Sequence, residues 1–534
     1  YMKHNSLKSK FITSVLALAV LAGCTKKLDL SPTNELTNDK VFATPLGYKQ
    51  ALAKVYGVMI TTGSQGPGSG DLPSQIISDA GNSDFFRNMW YLECLSTDEA
   101  GWTYHGNTDP IGIHQMNWTA VNFSVKCSYY RSYYAITLAN NFINESSDAN
   151  LSKRGITGKD AADIKVYKEE ARFLRAFHYW LLMDLFGNPP LVTEAVSIGS
   201  KSFPTQVGRS SIFSFIENEL KDLETKLPAA KTNEYGRVDQ AGAQSLLARL
   251  YLNAVTYTGS AKYTEAITYA NKVIAAGYTL HSKYKELMLA DNHLITNEFI
   301  WTLPYDGIAT QTYGGTTFLV HGPAGVTGDT SGSSGTWGCM RITQQFVDLF
   351  DPLDIRGQFY TSGQNKIMTQ LLDVSTDGYS STKFRNKTRA GVIAPNIDNN
   401  KTFASIDMPM FRLAEIYLIY AEAVARGGAG GSNATALNYL QQLAVRARPT
   451  DPNAANSALL TLPYIITERG RELMWEGHRR TDLIRYGQFT TGTYLWAWKG
   501  GVASGTGVDS KYNLYPIPND DLAANPNLTQ NPGY

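Results

Sequence analysis

Four cysteines in 534 residues are too few to staple a fold of this size. Cys24, Cys94, Cys127 and Cys339 stand far apart and form no CxxC pair, so neither a disulfide framework nor a zinc site is implied. The three beyond residue 24 are expected as buried free thiols. Charge of one sign is lacking as well, since 48 Lys and Arg offset 47 Asp and Glu. Phosphate neutralisation needs clustered Lys and Arg; no such stripe is present, which argues against a nucleic-acid binder. An apolar content of 43% argues against a disordered chain. Beyond residue 22 no apolar run is long enough to cross ~30 Å of hydrocarbon. The catalytic signatures HExxH, the phosphate loop ending in Gly-Lys-Ser/Thr, and the G-x-S-x-G elbow are all missing.

What is present begins with an address. Lys3, Lys8 and Lys10 precede an apolar run from Phe11 to Ala22, and Leu21-Ala22-Gly23-Cys24 supplies small residues at a cleavage position. This is the pattern of a signal peptide over residues 1–23. Cys24 falls where bacterial lipoproteins are cleaved and acylated, so the mature chain is expected to hang from a lipid anchor in the membrane. The leader holds three lysines and no acid, and the formal charge of +1 becomes −2 for residues 24–534.

The body of the chain alternates helices with long loops. Amphipathic periodicity predicts helices over about 45–61, 129–144, 160–186, 209–227, 239–257, 263–276, 410–426, 433–447 and 463–486. Gly187 and Pro189-Pro190 should stop the longest of these. Ala248, Tyr251, Tyr263 and Ala266 follow, in part, the tetratricopeptide pattern of small residues where paired helices cross. Gly427-Gly428-Ala429-Gly430-Gly431 lacks the phosphate-loop ending and reads as a helix–helix connector. Two stretches, 62–123 and 277–408, lack sustained helical period. Short strand-like runs, Phe299–Leu303 and Thr316–Val320, punctuate the 277–408 stretch. Loops this long inside a compact protein are usually functional. No clean linker separates domains, so residues 24–534 are expected to form one.

Glu472, Glu476, His478 and Asp482 tempt one to see an acid–base or metal site. Arg469, Arg471, Arg479, Arg480 and Arg485 surround them in sequence, and paired carboxylates stay ionised, so a salt-bridged structural knot is the expectation. His178 sits in an aromatic helix segment and is expected to be packed. A glycosidase needs two facing carboxylates; Asp98 and Glu99 are adjacent and should point apart. The two loop stretches instead concentrate aromatic rings: Phe85, Phe86, Trp90, Tyr91, Trp102 and Tyr104, with Arg87, His105 and Asn107, in one; Tyr305, Tyr313, Phe318 and Trp337 in the other. Most should pack the loops onto the helices, but as a set such rings suit the apolar faces of sugars, with Asn and Arg donating to hydroxyls.

Motifs spread along the chain carry a specific resemblance. Arg172-Phe-Leu-Arg-Ala-Phe-His-Tyr-Trp180, Asp184-Leu-Phe-Gly-Asn-Pro-Pro-Leu191, Gly236-Arg-Val-Asp239, Phe411-Arg-Leu-Ala-Glu-Ile-Tyr-Leu418, Glu472-Leu-Met-Trp-Glu-Gly-His-Arg479 and Tyr515-Pro-Ile-Pro518 occur in order. Together with the lipoprotein signal they resemble the SusD/RagB family. The resemblance implies a mainly α fold, a tetratricopeptide-like helical repeat scaffold with large loop-rich insertions. It implies a surface-exposed outer-membrane lipoprotein that binds glycans without catalysis and caps a SusC-like TonB-dependent transporter. The loops are most similar to those of starch-binding members, which implies starch or maltooligosaccharide as ligand. On that resemblance Tyr104, Tyr313 and Trp337 would stack on sugar, Tyr104 standing where a Trp is usual, and Arg87 and Asn107 would bind hydroxyls. Members often carry a structural metal ion, but the resemblance names no ligands for one here. Another glycan or a peptide on the same scaffold, a surface glycosidase, and a lid with no ligand remain as alternatives.

Overall fold

The computed structural model describes residues 38–194, 203–374 and 376–534. The leader and Cys24 lie outside the described residues. Helix α1 (Pro45–Gly57) starts where Thr44 accepts from the Gly47 N–H and proline occupies the first turn. Asp84 caps the short α2 (Phe85–Trp90), which runs on into a π-helical turn, Tyr91–Leu95. Asn122 caps α3 (Phe123–Glu145), accepting from the Ser124 and Val125 N–H groups. Helix α4 (Gly158–Phe186) is buried on nearly every side beyond Glu170, because it runs between α1, α3 and α5 (Arg209–Leu223). It ends where predicted: Gly187 takes φ 74°, a left-handed conformation that a side chain disfavours.

From α5 onward each helix packs on the next: α6 (Gln240–Leu252), α7 (Tyr263–Ala275), α9 (Leu413–Ala425) and α10 (Asn433–Ala447). Ala248, Tyr251 and Ala266 are fully buried at the α6–α7 crossing, as the repeat pattern requires. The glycine cluster after residue 426 joins α9 to α10 as a plain connector. The predicted 239–257 helix breaks at Asn253 into α6 and a short helix, Ala254–Thr258.

Three sequence expectations need correction. Thr316–Val320 is not a strand but lies in α8 (Gly315–His321), a wholly buried helix whose packing overrides β-branched propensity. The predicted 410–426 helix begins as a strand, Met408–Arg412, paired antiparallel with Phe299–Leu303. The block 463–486 is two helices, α11 (Leu462–Leu473) and α12 (Arg479–Arg485), separated where Trp475 and Gly477 take φ 62° and 79°.

The strand pair Phe299–Leu303 with Met408–Arg412 draws an early segment of the second insertion against its far end. A shorter pair, Gly101–Trp102 with Met340–Arg341, joins the first insertion to the second. One apolar core runs through the helices and both insertions. Cys94, Cys127 and Cys339 are buried free thiols. His178 is packed between Phe85 and Phe177. Among the described residues no helix is long and apolar enough to cross a membrane.

Beside this core lies a buried lattice of charges. Arg412 reaches Glu298 at 3.0 Å, Glu472 at 2.6 Å and Glu476 at 2.7 Å. Arg446 binds Glu298 and Glu472, Arg356 binds Glu468 and Glu472, and Lys383 binds Glu476. The structural knot is therefore real, but for Glu472 and Glu476 its cations come from Arg356, Lys383, Arg412 and Arg446, not from the arginines adjacent in sequence. Arg469 and Arg485 do serve Asp482. Burial alone would raise the Glu472 carboxyl; Arg446, Arg412 and Arg356 outweigh it and hold the group far below the usual carboxylate range. Burial, reinforced by Arg249, Arg469, Arg412 and Lys383, drives His478 well below its usual value and keeps it neutral.

Candidate functional site

The two insertions meet around Asp84. Its carboxylate accepts from the Arg87 N–H at 2.9 Å, the Gly315 N–H at 2.8 Å and the Thr312 hydroxyl at 3.2 Å. This one buried side chain therefore caps α2 and pulls the 312–315 loop against it, setting Arg87 beside Tyr313. Buried Arg131 of α3 fixes the preceding loop through Ser83 O at 3.0 Å and Ser83 Oγ at 2.7 Å.

Arg87 donates to Tyr91 Oη at 3.0 Å and to the Tyr313 carbonyl at 3.4 Å. Its guanidinium lies 4.6 Å from the Phe318 ring centroid and 5.8 Å from that of Trp337. The Trp337 ring stacks on His321 at 5.0 Å and 17°, and the Trp337 backbone N–H donates to the His321 carbonyl at 2.6 Å. Burial pulls the His321 imidazole below its usual value, so a neutral ring backs the indole. Its Nε2 lies 2.7 Å from the Thr402 carbonyl. Tyr313 leans edge-on against Phe403 at 5.3 Å. Tyr104 follows Trp102, whose indole N–H donates to the Tyr104 carbonyl at 3.0 Å. Asn107 opens the helix Thr108–His114 without its side chain capping it, which leaves the carboxamide available.

All five residues singled out in the sequence, Arg87, Tyr104, Asn107, Tyr313 and Trp337, line one open cleft of about 810 Å³. Sequence reasoning missed Ser78, Asp79 and Asn82, which also line it. Asp79 there accepts from the Asn82 backbone N–H at 2.9 Å and its side-chain amide at 2.6 Å. A dense run of short polar residues, Ser78 to Asp84, was the available signal. Of the loop aromatics, Phe85, Phe86, Trp90, Tyr91, Trp102, Tyr305 and Phe318 are buried, and of these Trp102 also lines the cleft. Among the described residues, five large aromatic side chains are exposed: Tyr104, Phe203, Tyr235, Tyr313 and Trp337. Three of these five share the cleft.

Asp98 and Glu99 are both buried and point to different partners. Asp98 takes the Arg479 fork at 2.8 and 2.7 Å, whereas Glu99 meets no arginine fork: it accepts a 3.2 Å bond from the Trp475 N–H and one from the Cys94 thiol. Burial pushes the Glu99 carboxyl up to about 8. Neither lines the cleft. Among the described residues, no group of three His, Cys, Asp or Glu side chains is placed to hold a metal ion.

The starch-binding protein SusD of Bacteroides thetaiotaomicron is 33% identical, in an alignment covering 99% of this chain and all of that protein. The chain belongs to the SusD/RagB family. The SusD family profile matches residues 352–534, and a second profile, described as starch-binding and associating with the outer membrane, matches residues 28–252. The SusD-like protein P2 of Formosa agariphila is 25% identical over 99% of this chain and all of its own length. A solved SusD homologue from Bacteroides thetaiotaomicron superposes with TM-score 0.70 at 20% identity, covering 93% of this chain and 99% of the other. Surface glycan-binding protein A from the same organism, solved with laminarihexaose, gives 0.67 at 18% identity, covering 91% and 98%. These superpositions show the shared SusD fold, a tetratricopeptide-like helical scaffold. SusD-family proteins bind glycans and are described as associating with the outer membrane.

Proposed function

We propose that this SusD-family chain captures starch and maltooligosaccharides at the cell surface and passes them to a SusC-like TonB-dependent transporter, held to the outer membrane by a lipid on Cys24. The observation that carries the ligand assignment is the gathering of three exposed rings, on three separate segments, with Arg87 and Asn107 in one cleft. Rings bind the apolar faces of glucose units, and the guanidinium and carboxamide bind their hydroxyls. Rings carried on separate segments suit a curved α-1,4-glucan better than a flat chain. The 33% identity to a protein named for starch binding supports the same ligand. The chain works as a binding protein, not a hydrolase: among the described residues Asp79 is the one carboxylate in the cleft lining, and glycoside hydrolysis uses two.

The test is migration in a native gel containing amylopectin. Wild-type protein is retarded, and Trp337→Ala runs as it does without polysaccharide while keeping its unfolding temperature. Equal retardation of the two overturns the assignment of this cleft. Retardation by laminarin and not by amylopectin replaces the ligand, and release of reducing ends from amylopectin overturns the non-catalytic reading.

A further inference from the structure

Tyr104 is the most exposed of the three cleft rings, at 51%. It rides on a turn, Tyr104-His105-Gly106, that one residue of the other insertion grips from outside. The Asp373 N–H donates to the Thr103 carbonyl at 2.9 Å, and its carboxylate lies 2.5 Å from His105 Nδ1. In making both contacts Asp373 takes φ 62°, a left-handed conformation that residues other than glycine adopt rarely and aspartate tolerates better than most. From the inner side the Trp102 indole holds the Tyr104 carbonyl. Beneath, a Cβ built on Gly106 would stand 2.5 Å from both Cζ and Oη of Tyr104. The phenol therefore lies across the Gly106 backbone, in space that a methyl group would fill. The segment carrying Asp373 has its own footing: Met368 and Leu371 pack with Ala497 in a small apolar cluster apart from the main core.

We infer that Asp373 is a positioning residue for glycan binding, which with His105 and Gly106 sets the angle of the Tyr104 ring without touching sugar. The inference rests on the reading of this cleft as a glucan site. Side chains 66% and 57% exposed, as His105 and Asp373 are, add little to fold stability through their pairing. A ring already held at its working angle, however, loses less freedom when a ligand settles on it.

Calorimetry with maltoheptaose tests this. Asp373→Ala and His105→Ala are each expected to weaken binding about two- to fivefold, the range an exposed polar pair can supply. Asp373→Asn should recover part of the loss, because its amide still pairs with His105. Gly106→Ala should weaken binding with unfolding temperature unchanged, since the far end of the phenol swings aside. In a Tyr104→Ala background, Asp373→Ala should cost nothing more, because the residue acts only through that ring. Wild-type affinity in Asp373→Ala, or a full additional loss in the Tyr104→Ala background, overturns the inference and leaves the glucan reading standing. If the wild-type chain binds no maltoheptaose, the glucan reading falls. The clamp is then decided by amide hydrogen exchange over residues 103–107, which Asp373→Ala must accelerate; unchanged exchange overturns it.

Discussion

The charge lattice around Glu472 and the cleft around Trp337 use opposite chemistry within one fold. In the lattice, carboxylates are removed from water and meet several cations; Glu472 alone faces Arg356, Arg412 and Arg446. In the cleft, charge is sparse: among the described residues Asp79 and Arg87 are its only charged lining side chains, and rings and neutral dipoles supply the rest. The difference teaches where each kind of group is useful. Ionic groups taken out of water fix geometry strongly but are satisfied only by each other. A cleft meant for a neutral polyol must stay open and offer groups that exchange water for hydroxyls with little penalty.

Breaking the lattice should give the largest effect. Glu472→Ala takes one carboxylate partner from each of three buried guanidinium groups, and removing one partner of a buried ionic set costs about 3–5 kcal/mol. Urea unfolding should show it, while the fraction still folded binds glucan with unchanged affinity. A loss of affinity with stability retained would mean that the two regions are not separate. Next is pH. Glu99 is buried yet has no arginine fork of its own, since Arg479 is committed to Asp98. Its carboxyl, raised by burial from 4.5 to about 8, keeps its proton in the native state where the unfolded chain has lost it. Stability should therefore be fullest below about pH 4.5 with respect to this group and decline as pH rises toward 8. Glu99→Gln should flatten that decline in thermal unfolding followed from pH 5 to 9; an unchanged slope removes Glu99 as its source.

On the other side of the comparison, Trp337→Ala should weaken maltoheptaose binding about tenfold or more in calorimetry, with little change in unfolding temperature. A matching loss of stability would make the indole a packing residue. The smallest effect is the sharpest. Tyr104→Trp enlarges the ring on the same turn and should tighten binding about two- to threefold. Weaker binding would show that the cleft is fitted to a phenol at this position.

The helices were legible because their signals are local. Apolar stripes, and Gly187 ahead of Pro189-Pro190, each speak within a few residues. What was missed depends on distant partners. Met410–Arg412 reads as the start of a helix until Phe299–Leu303 lies beside it. Thr316–Val320 has strand composition, but α8 begins where Asp84, from the other insertion, takes the Gly315 N–H. The lattice around Glu472 was anticipated in kind and not in membership, since Arg356, Arg412 and Arg446 are brought in by tertiary folding. In the cleft, the five named residues came from resemblance to a family pattern. Asp79 and Asn82, in a polar loop with no pattern of its own, did not. Nor could composition separate buried rings from rings that open into the cleft; both occur in the same short segments, and only burial divides them.

The strand pair Phe299–Leu303 with Met408–Arg412 has a consequence for how such a protein can change. It brings an early segment of the second insertion beside its far end, so residues 304–407 leave and return through a single gate. Closing a loop through a fixed gate costs free energy that grows only with the logarithm of loop length. Exposed turns within residues 304–407 can therefore change in length at little cost, so long as Arg356 and Lys383 keep their places in the lattice and Met340–Arg341 its strand. The scaffold and its charge lattice work as a chassis, and the exposed turns that carry Tyr313, Trp337 and Asp373 work as an exchangeable head through which a lineage moves from one ligand to another.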